Sequence, residues 1–228
     1  PYYSFGRSDK KDAPRISITA RLVADLLRTS GATHVMSMMF HSPQVHGFFR
    51  VPTDPLSSRP VFQQYLENRD MSGMIIVSPD MGQAKSAARF AKSLSLPVAA
   101  GNKERVSDTE VRISGLVGNQ VKGHKRALIY DDEIATGGSI AELTRLLVNE
   151  GVEEIMVMCT HGVFTRGGLE KLAAIPQIQE IVTTDTVDIP EEKRHPKLTV
   201  LSVAKVFADS IRHNFNRQSI GNLFIYSE

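Results

Sequence analysis

The chain is predicted to fold as an α/β protein with mainly parallel sheets and flanking helices. Three observations in its 228 residues lead there. Short apolar runs alternate with runs of helical period almost throughout. The apolar runs are continuous rather than interleaved with polar residues, as in strands covered on both faces. Polar clusters fall directly after several of these runs, where open parallel sheets bind their ligands.

Residues 16–31 read as a helix, because Ile18, Leu22 and Leu26 repeat every four residues with Val23 and Leu27 beside them. Ser17 is placed as its N-cap and Gly31 as its stop. HVMSMMF reads as a strand leading to His41, and GMIIVSPD as a second strand followed by a helix over 83–95. PVAAGNKER reads as a short strand feeding a polar loop. RALIYDD is the next strand and 139–151 the next helix. Strands follow at 153–162, 178–187 and 197–203, and helices at 165–175 and 204–216. The segment 49–62 holds Pro52, Pro55 and Pro60 and is the expected boundary or linker.

Bulk properties restrict the classes of function. A formal net charge of +2 gives no general ground for binding nucleic acid, so any cationic role must be local. No apolar run approaches the roughly 20 residues of a membrane helix, and the opening residues do not read as a secretory signal. Cys159 is the single cysteine and cannot close an intrachain disulfide. Its apolar setting, IMVMCT, reads as a buried structural thiol, which fits a reducing compartment. The first residue is Pro1, which fits either a removed initiator or a start inside a longer chain.

The stretch ALIYDDEIATGGSI, residues 127–140, carries the chemistry. Gly137 and Gly138 permit a tight turn, Thr136 and Ser139 add hydroxyl donors, and the following helix presents its positive dipole end. Together these make a phosphate cradle. Asp131 and Asp132 before it can accept hydrogen bonds from sugar hydroxyls or hold a magnesium ion through water. The plainer reading is a βα turn with aspartate caps. The glycine turn behind an apolar strand favours a site for a phosphorylated sugar.

This pattern resembles the 5-phosphoribosyl-1-diphosphate (PRPP) motif shared by type I phosphoribosyltransferases and PRPP synthetases. The motif alone does not separate them. FHSPQVHGFFRVPTD, residues 40–54, looks like the signature of the ribose-phosphate pyrophosphokinase (PRPP synthetase) family. GRSDKKDAPRISITARLVADLL, SPDMGQAK, NKER and LFIYSE continue the resemblance in order, over nearly the whole chain.

The resemblance implies two type I phosphoribosyltransferase-like domains. Residues 1–57 would be the remainder of the N-terminal one. Residues 58–228 would be the C-terminal one with the PRPP loop, its last residues packing back on the first. The implied reaction moves a diphosphoryl group from ATP to the 1-hydroxyl of ribose 5-phosphate, with Mg2+ as cofactor. Lys103, Arg105 and His41 are the implied catalytic residues. Asp131, Asp132, Ala135, Thr136, Gly137, Gly138 and Ser139 would hold ribose 5-phosphate. Arg7, Asp9, Gln44 and His41 would hold ATP, and His41 and Asp80 the metal. Without the resemblance, NKER reads as a solvated charge cluster and His41 as a packing residue. His161 in THG is read as structural, and His46 stays unassigned. A cytoplasmic homo-oligomer, dimer or hexamer, is implied, with no nucleic-acid or membrane partner.

The sequence also departs from the family. An aspartate commonly stands two residues before the histidine, where this chain has Met39, a poor ligand for a hard cation. Ala135 replaces a second acidic residue of the sugar-phosphate loop. A portion that the family carries upstream is not in the sequence as given. These points raise a second reading, a non-catalytic paralogue that regulates an active synthetase.

Overall fold

Met74–Ser78 is buried along its whole length, and the reason is visible in its alternation. Ile75 and Val77 join one apolar cluster, while Met74 and Ile76 join another on the opposite face of the sheet. Ala127 and Ile129 divide from Leu128 and Tyr130 in the same way. Side chains of a strand alternate between faces, so a run apolar at every position needs cover on both sides.

The computed structural model describes residues 1–11, 13–105 and 111–223. The chain forms two compact units: Pro1–Pro60 together with the residues from Ser202 onward, and Val61–Leu201.

The larger unit is built on β3 (Met74–Ser78), β4 (Val98–Arg105), β5 (Val111–Gly118), β6 (Arg126–Ile134), β7 (Glu154–Gly162), β8 (Ile178–Thr184) and β9 (Leu198–Leu201). They form one sheet in the order β5-β4-β3-β6-β7-β8-β9. Neighbours are parallel except β4 and β5, which form an antiparallel hairpin at the edge. Helices α4 (Gly138–Asn149) and α5 (Gly168–Ala173) cover one face through Ile140, Leu143, Leu147, Leu169 and Leu172. Helices α2 (Arg59–Leu66) and α3 (Ala84–Ser93) cover the other through Phe62, Leu66 and Phe90. Each such buried side chain contributes about 1.5–3 kcal/mol.

The smaller unit holds α1 (Thr19–Thr29), β1 (Val35–Met38), β2 (Thr53–Leu56) and α6 (Ala204–Phe215). β1 and β2 pair in parallel from Val35 with Thr53 to Met38 with Leu56. Tyr3, Phe40 and Phe49 form an aromatic cluster with ring centroids 5.4–5.8 Å apart. The tail returns to this unit, where the Ser57 N–H donates to the Leu223 carbonyl at 2.8 Å.

Several sequence expectations are corrected. The proline-rich segment does hold the division between the two units, at Pro60 and Val61, but it is not a plain linker, because it contains β2 with Pro55 inside it. A two-stranded sheet leaves β2 an outer side, and proline is accommodated on such edges. NKER is not a loop: it completes β4 and pairs with β5, a strand the sequence reading omitted. The strand RALIYDD runs on to Ile134, so both aspartates lie within β6. Ser17 does not cap α1; the Thr19 N–H donates instead to Ser8 Oγ at 3.1 Å. Helix α1 buries Ala20 and Ala24, and Leu22 and Leu26 face outward. No helix among the described residues is long and apolar enough to cross a membrane.

Candidate active site

From β3 the chain crosses through α3 to β4 on one side; from β6 it crosses through α4 to β7 on the other. β3 and β6 are neighbours, so the direction of winding reverses between them. Ligands in open α/β sheets bind beyond the strand ends at such a point. The parallel register of β3 and β6 runs to Val77 with Ile129. Asp80 follows just beyond β3, and its charge acts on Asp131 of β6, so these sequence-selected carboxylates lie on the side where topology predicts a crevice.

The loop beyond β6 is held in one shape. Gly137 has φ +69°, and a Cβ there would lie 3.0 Å from Leu172 Cγ and 3.1 Å from the Gly168 carbonyl. Glycine serves both the left-handed backbone and the close approach. Helix α4 begins at Gly138, and its first turn is closed by the Ala141 N–H on the Gly137 carbonyl at 2.9 Å. The N–H groups ahead of Ala141 have no intrahelical acceptor and are suited to an anion.

Electrostatics at the strand end are strained by like charges. Asp132 is only 2% exposed. Asp131 keeps part of its surface but is densely surrounded, and its Oδ1 accepts the Asp132 N–H at 2.9 Å. Burial, then the charge of Asp132, push the Asp131 carboxyl well above the usual carboxylate range; Asp80 adds to this. Burial also drives the Cys159 thiol upward, with the two aspartates contributing, so it stays a protonated packing group. Asp80 accepts the Gln83 N–H at 3.2 Å ahead of α3. His161 is buried, and its Nδ1 meets Thr186 Oγ1 at 2.8 Å, a structural contact.

Among the described residues no group of three His, Cys, Asp or Glu is disposed to hold a metal by itself. That donor set still fits a magnesium-like ion. Such an ion takes one or two carboxylates and completes its shell with water and substrate phosphates.

Lys103 and Arg105 occupy the end of β4, their backbones paired with Ile113 and Val111, after an irregularity between Asn102 and Lys103. Their side chains, and the stretch Phe224–Glu228 of the LFIYSE motif, lie outside the described residues.

Arg7, Asp9, His41 and Gln44 belong to the smaller unit. His41 is exposed just beyond β1, and Gly6 lies against it: a Cβ on Gly6 would be 3.7 Å from His41 Cβ. The segment carrying Arg7 and the histidine are thus adjacent. Arg7 and Lys10 line an open cavity of about 460 Å³ with Ser8, Ser17 and Thr19. The Ser42 hydroxyl donates to Gln44 Oε1. His46 Nε2 donates to the Thr53 carbonyl at 2.9 Å, which occupies it structurally. Met39 stands at φ +36°.

Comparison with known proteins decides the family. A protein of Streptomyces coelicolor, provisionally named ribose-phosphate pyrophosphokinase, is 46% identical over 98% of this chain and 70% of its own length. This chain belongs to the ribose-phosphate pyrophosphokinase family. The ribose-phosphate pyrophosphokinase of Deinococcus radiodurans is 43% identical over 98% of this chain and 71% of that protein. The phosphoribosylpyrophosphate synthetase of Mycobacterium smegmatis superposes with a TM-score of 0.85 at 38% identity, covering 95% of this chain and 70% of that one. Residues 112–225 match the phosphoribosyl synthetase-associated domain, and residues 1–31 the N-terminal domain of ribose phosphate pyrophosphokinase. The chain thus spans about 70% of the length of these two pyrophosphokinases.

Within this pyrophosphokinase, sequence reasoning missed the support beneath the loop. A Cβ on Gly168 would lie 2.5 Å from the Ala135 carbonyl, and Lys171 Nζ donates to the Thr136 carbonyl at 3.2 Å. The glycine pair in TRGG was the available signal. It was read only as part of a short helix.

Proposed function

We propose that the chain is a ribose-phosphate diphosphokinase, converting ATP and ribose 5-phosphate to AMP and PRPP. The observation that carries this is the glycine loop beside the Asp131–Asp132 pair at the winding reversal of the sheet. Membership of the pyrophosphokinase family supports it.

In this reading the N–H groups of residues 136–139 receive the 5-phosphate, and Asp131 and Asp132 accept hydrogen bonds from the sugar diol. Ala135, small and uncharged, leaves that end of the loop to the phosphate. The 1-hydroxyl oxygen attacks the β-phosphorus of ATP. The bond from that phosphorus to the bridging oxygen breaks, AMP leaves with the electron pair, and the hydroxyl proton is released. Such transfers depend on alignment and on cations facing the phosphate oxygens. Lys103, Arg105 and His41 take that role, and Arg7, Asp9 and Gln44 hold the nucleotide. Asp80 and His41 would hold Mg2+, which would supply neutralisation of phosphate charge. Homo-oligomers, dimers or hexamers, and a cytoplasmic setting complete the reading.

Met39 favours a second reading, a non-catalytic paralogue. The two are separated by incubating purified protein with magnesium, ATP and ribose 5-phosphate. AMP and PRPP formed only when ribose 5-phosphate is present support the enzyme. No turnover, with altered activity of an added active synthetase, supports the paralogue.

A further inference from the structure

Among the described residues of the larger unit, the segment after β7 holds the densest run of left-handed backbone. Phe164, Arg166 and Gly167 have φ of +44°, +53° and +71°, three left-handed residues within four. Strain of this kind persists where the surroundings fix it and often accompanies function. Its outcome is to deliver Gly168 and Lys171, at the start of α5, beneath the β6–α4 loop. Gly168 leaves room for the Ala135 carbonyl, which a Cβ would meet at 2.5 Å. Lys171 Nζ donates to the Thr136 carbonyl at 3.2 Å. Two consecutive loop carbonyls are therefore turned toward α5.

Peptide planarity gives this arrangement a consequence. The peptide bonds of the described residues are trans, so the C=O of one residue and the N–H of the next point in opposite directions. With the carbonyls of Ala135 and Thr136 facing α5, the N–H groups of Thr136 and Gly137 face the other way. Successive N–H groups on one side form an anion-binding concavity.

We propose that Lys171 is a positioning residue for the sugar 5-phosphate. It holds the Thr136 carbonyl on the α5 side, and so aims the Gly137 N–H at the phosphate. Lys171 is exposed and outside the apolar core, so its removal leaves the fold intact. This rests on the ribose 5-phosphate reading of the loop.

The test compares wild type, Lys171→Ala and Lys171→Arg by calorimetric titration with ribose 5-phosphate and by steady-state kinetics. For Lys171→Ala, Kd and KM for ribose 5-phosphate should rise about tenfold, the scale of one lost charge-assisted hydrogen bond. KM for ATP and kcat should stay within about twofold, the pattern of lost uniform binding. Lys171→Arg should recover most of the loss, and the thermal midpoint of both variants should stay within about 2–4 °C of wild type. An unchanged Kd in Lys171→Ala, or a fall in kcat without a change in Kd, overturns the proposal. If wild type binds ribose 5-phosphate but forms no AMP, the diphosphokinase reading fails while the titration still tests Lys171. If wild type does not bind ribose 5-phosphate, both fall.

Discussion

Asp131 turns its side chain onto the next peptide of its own strand, so that Oδ1 accepts the N–H of Asp132 at 2.9 Å. The Asp131 carboxylate is thereby fixed beside Asp132 at the strand end, and burial with like charge raises its pKa. The sign of the effect on stability follows. An acid whose folded pKa exceeds its unfolded value binds more protons in the folded state between the two. Stability then falls as pH rises from the unfolded value of about 3.9 through the folded one. Asp131→Asn should therefore flatten the pH dependence and raise Tm at neutral pH by about 2–4 °C. It should also weaken ribose 5-phosphate binding. Thermal melts across pH 4 to 8, with a binding titration, check both; a lower Tm at neutral pH would show that the pair stabilises the fold.

The two loop glycines should answer differently to the same change. Gly137→Ala adds a Cβ 3.0 Å from Leu172 Cγ on a backbone at φ +69°, whereas at Gly138 the nearest atom, Thr136 Oγ1, is 3.7 Å away. Gly137→Ala should cost about 1–3 kcal/mol of stability and impair ribose 5-phosphate binding. Gly138→Ala should fold as wild type. Denaturant melts of the pair measure the contrast.

Lys103→Ala removes a cation proposed to act on the transferred group rather than on the sugar phosphate. Turnover should fall by orders of magnitude, roughly 10²-fold or more as for other electrostatic stabilisers. Ribose 5-phosphate affinity should remain near wild type. Parallel kinetics and titration settle it; equal loss of both would reassign the lysine to substrate binding.

Met39 occupies a left-handed backbone at φ +36°, a region that aspartate enters more readily than methionine. Met39→Asp would return the carboxylate common in the family. The expected outcome is a lower magnesium concentration for half-maximal activity, measured by metal titration of the rate. An unchanged or higher requirement would place the metal away from this position.

The legible parts of the fold were those where one physical signal was strong. β3, β6 and β7 were readable because both faces are covered and each holds a continuous apolar run, Met74–Val77, Ala127–Tyr130 and Ile155–Cys159. The β4–β5 hairpin was not, because NKER looks like solvent-facing charge and VRISG alternates weakly. Asp131, Asp132 and residues 136–139 are selected as a candidate site by composition and spacing alone. Gly168 and Lys171 were not, since a support that reaches the loop through space leaves no local pattern in the chain. The outward stripe of Leu22 and Leu26 shows the same limit: periodicity predicted the helix, but packing chose Ala20 and Ala24 as its buried face.

The most direct test follows the fate of the terminal phosphate. ATP labelled with ³²P at the γ-position is incubated with the protein, magnesium and ribose 5-phosphate, and the products are separated. Diphosphoryl transfer places the label in PRPP, with one AMP formed for each PRPP. Label found in free phosphate, or ADP formed in place of AMP, would contradict the assignment of this chain as a diphosphokinase.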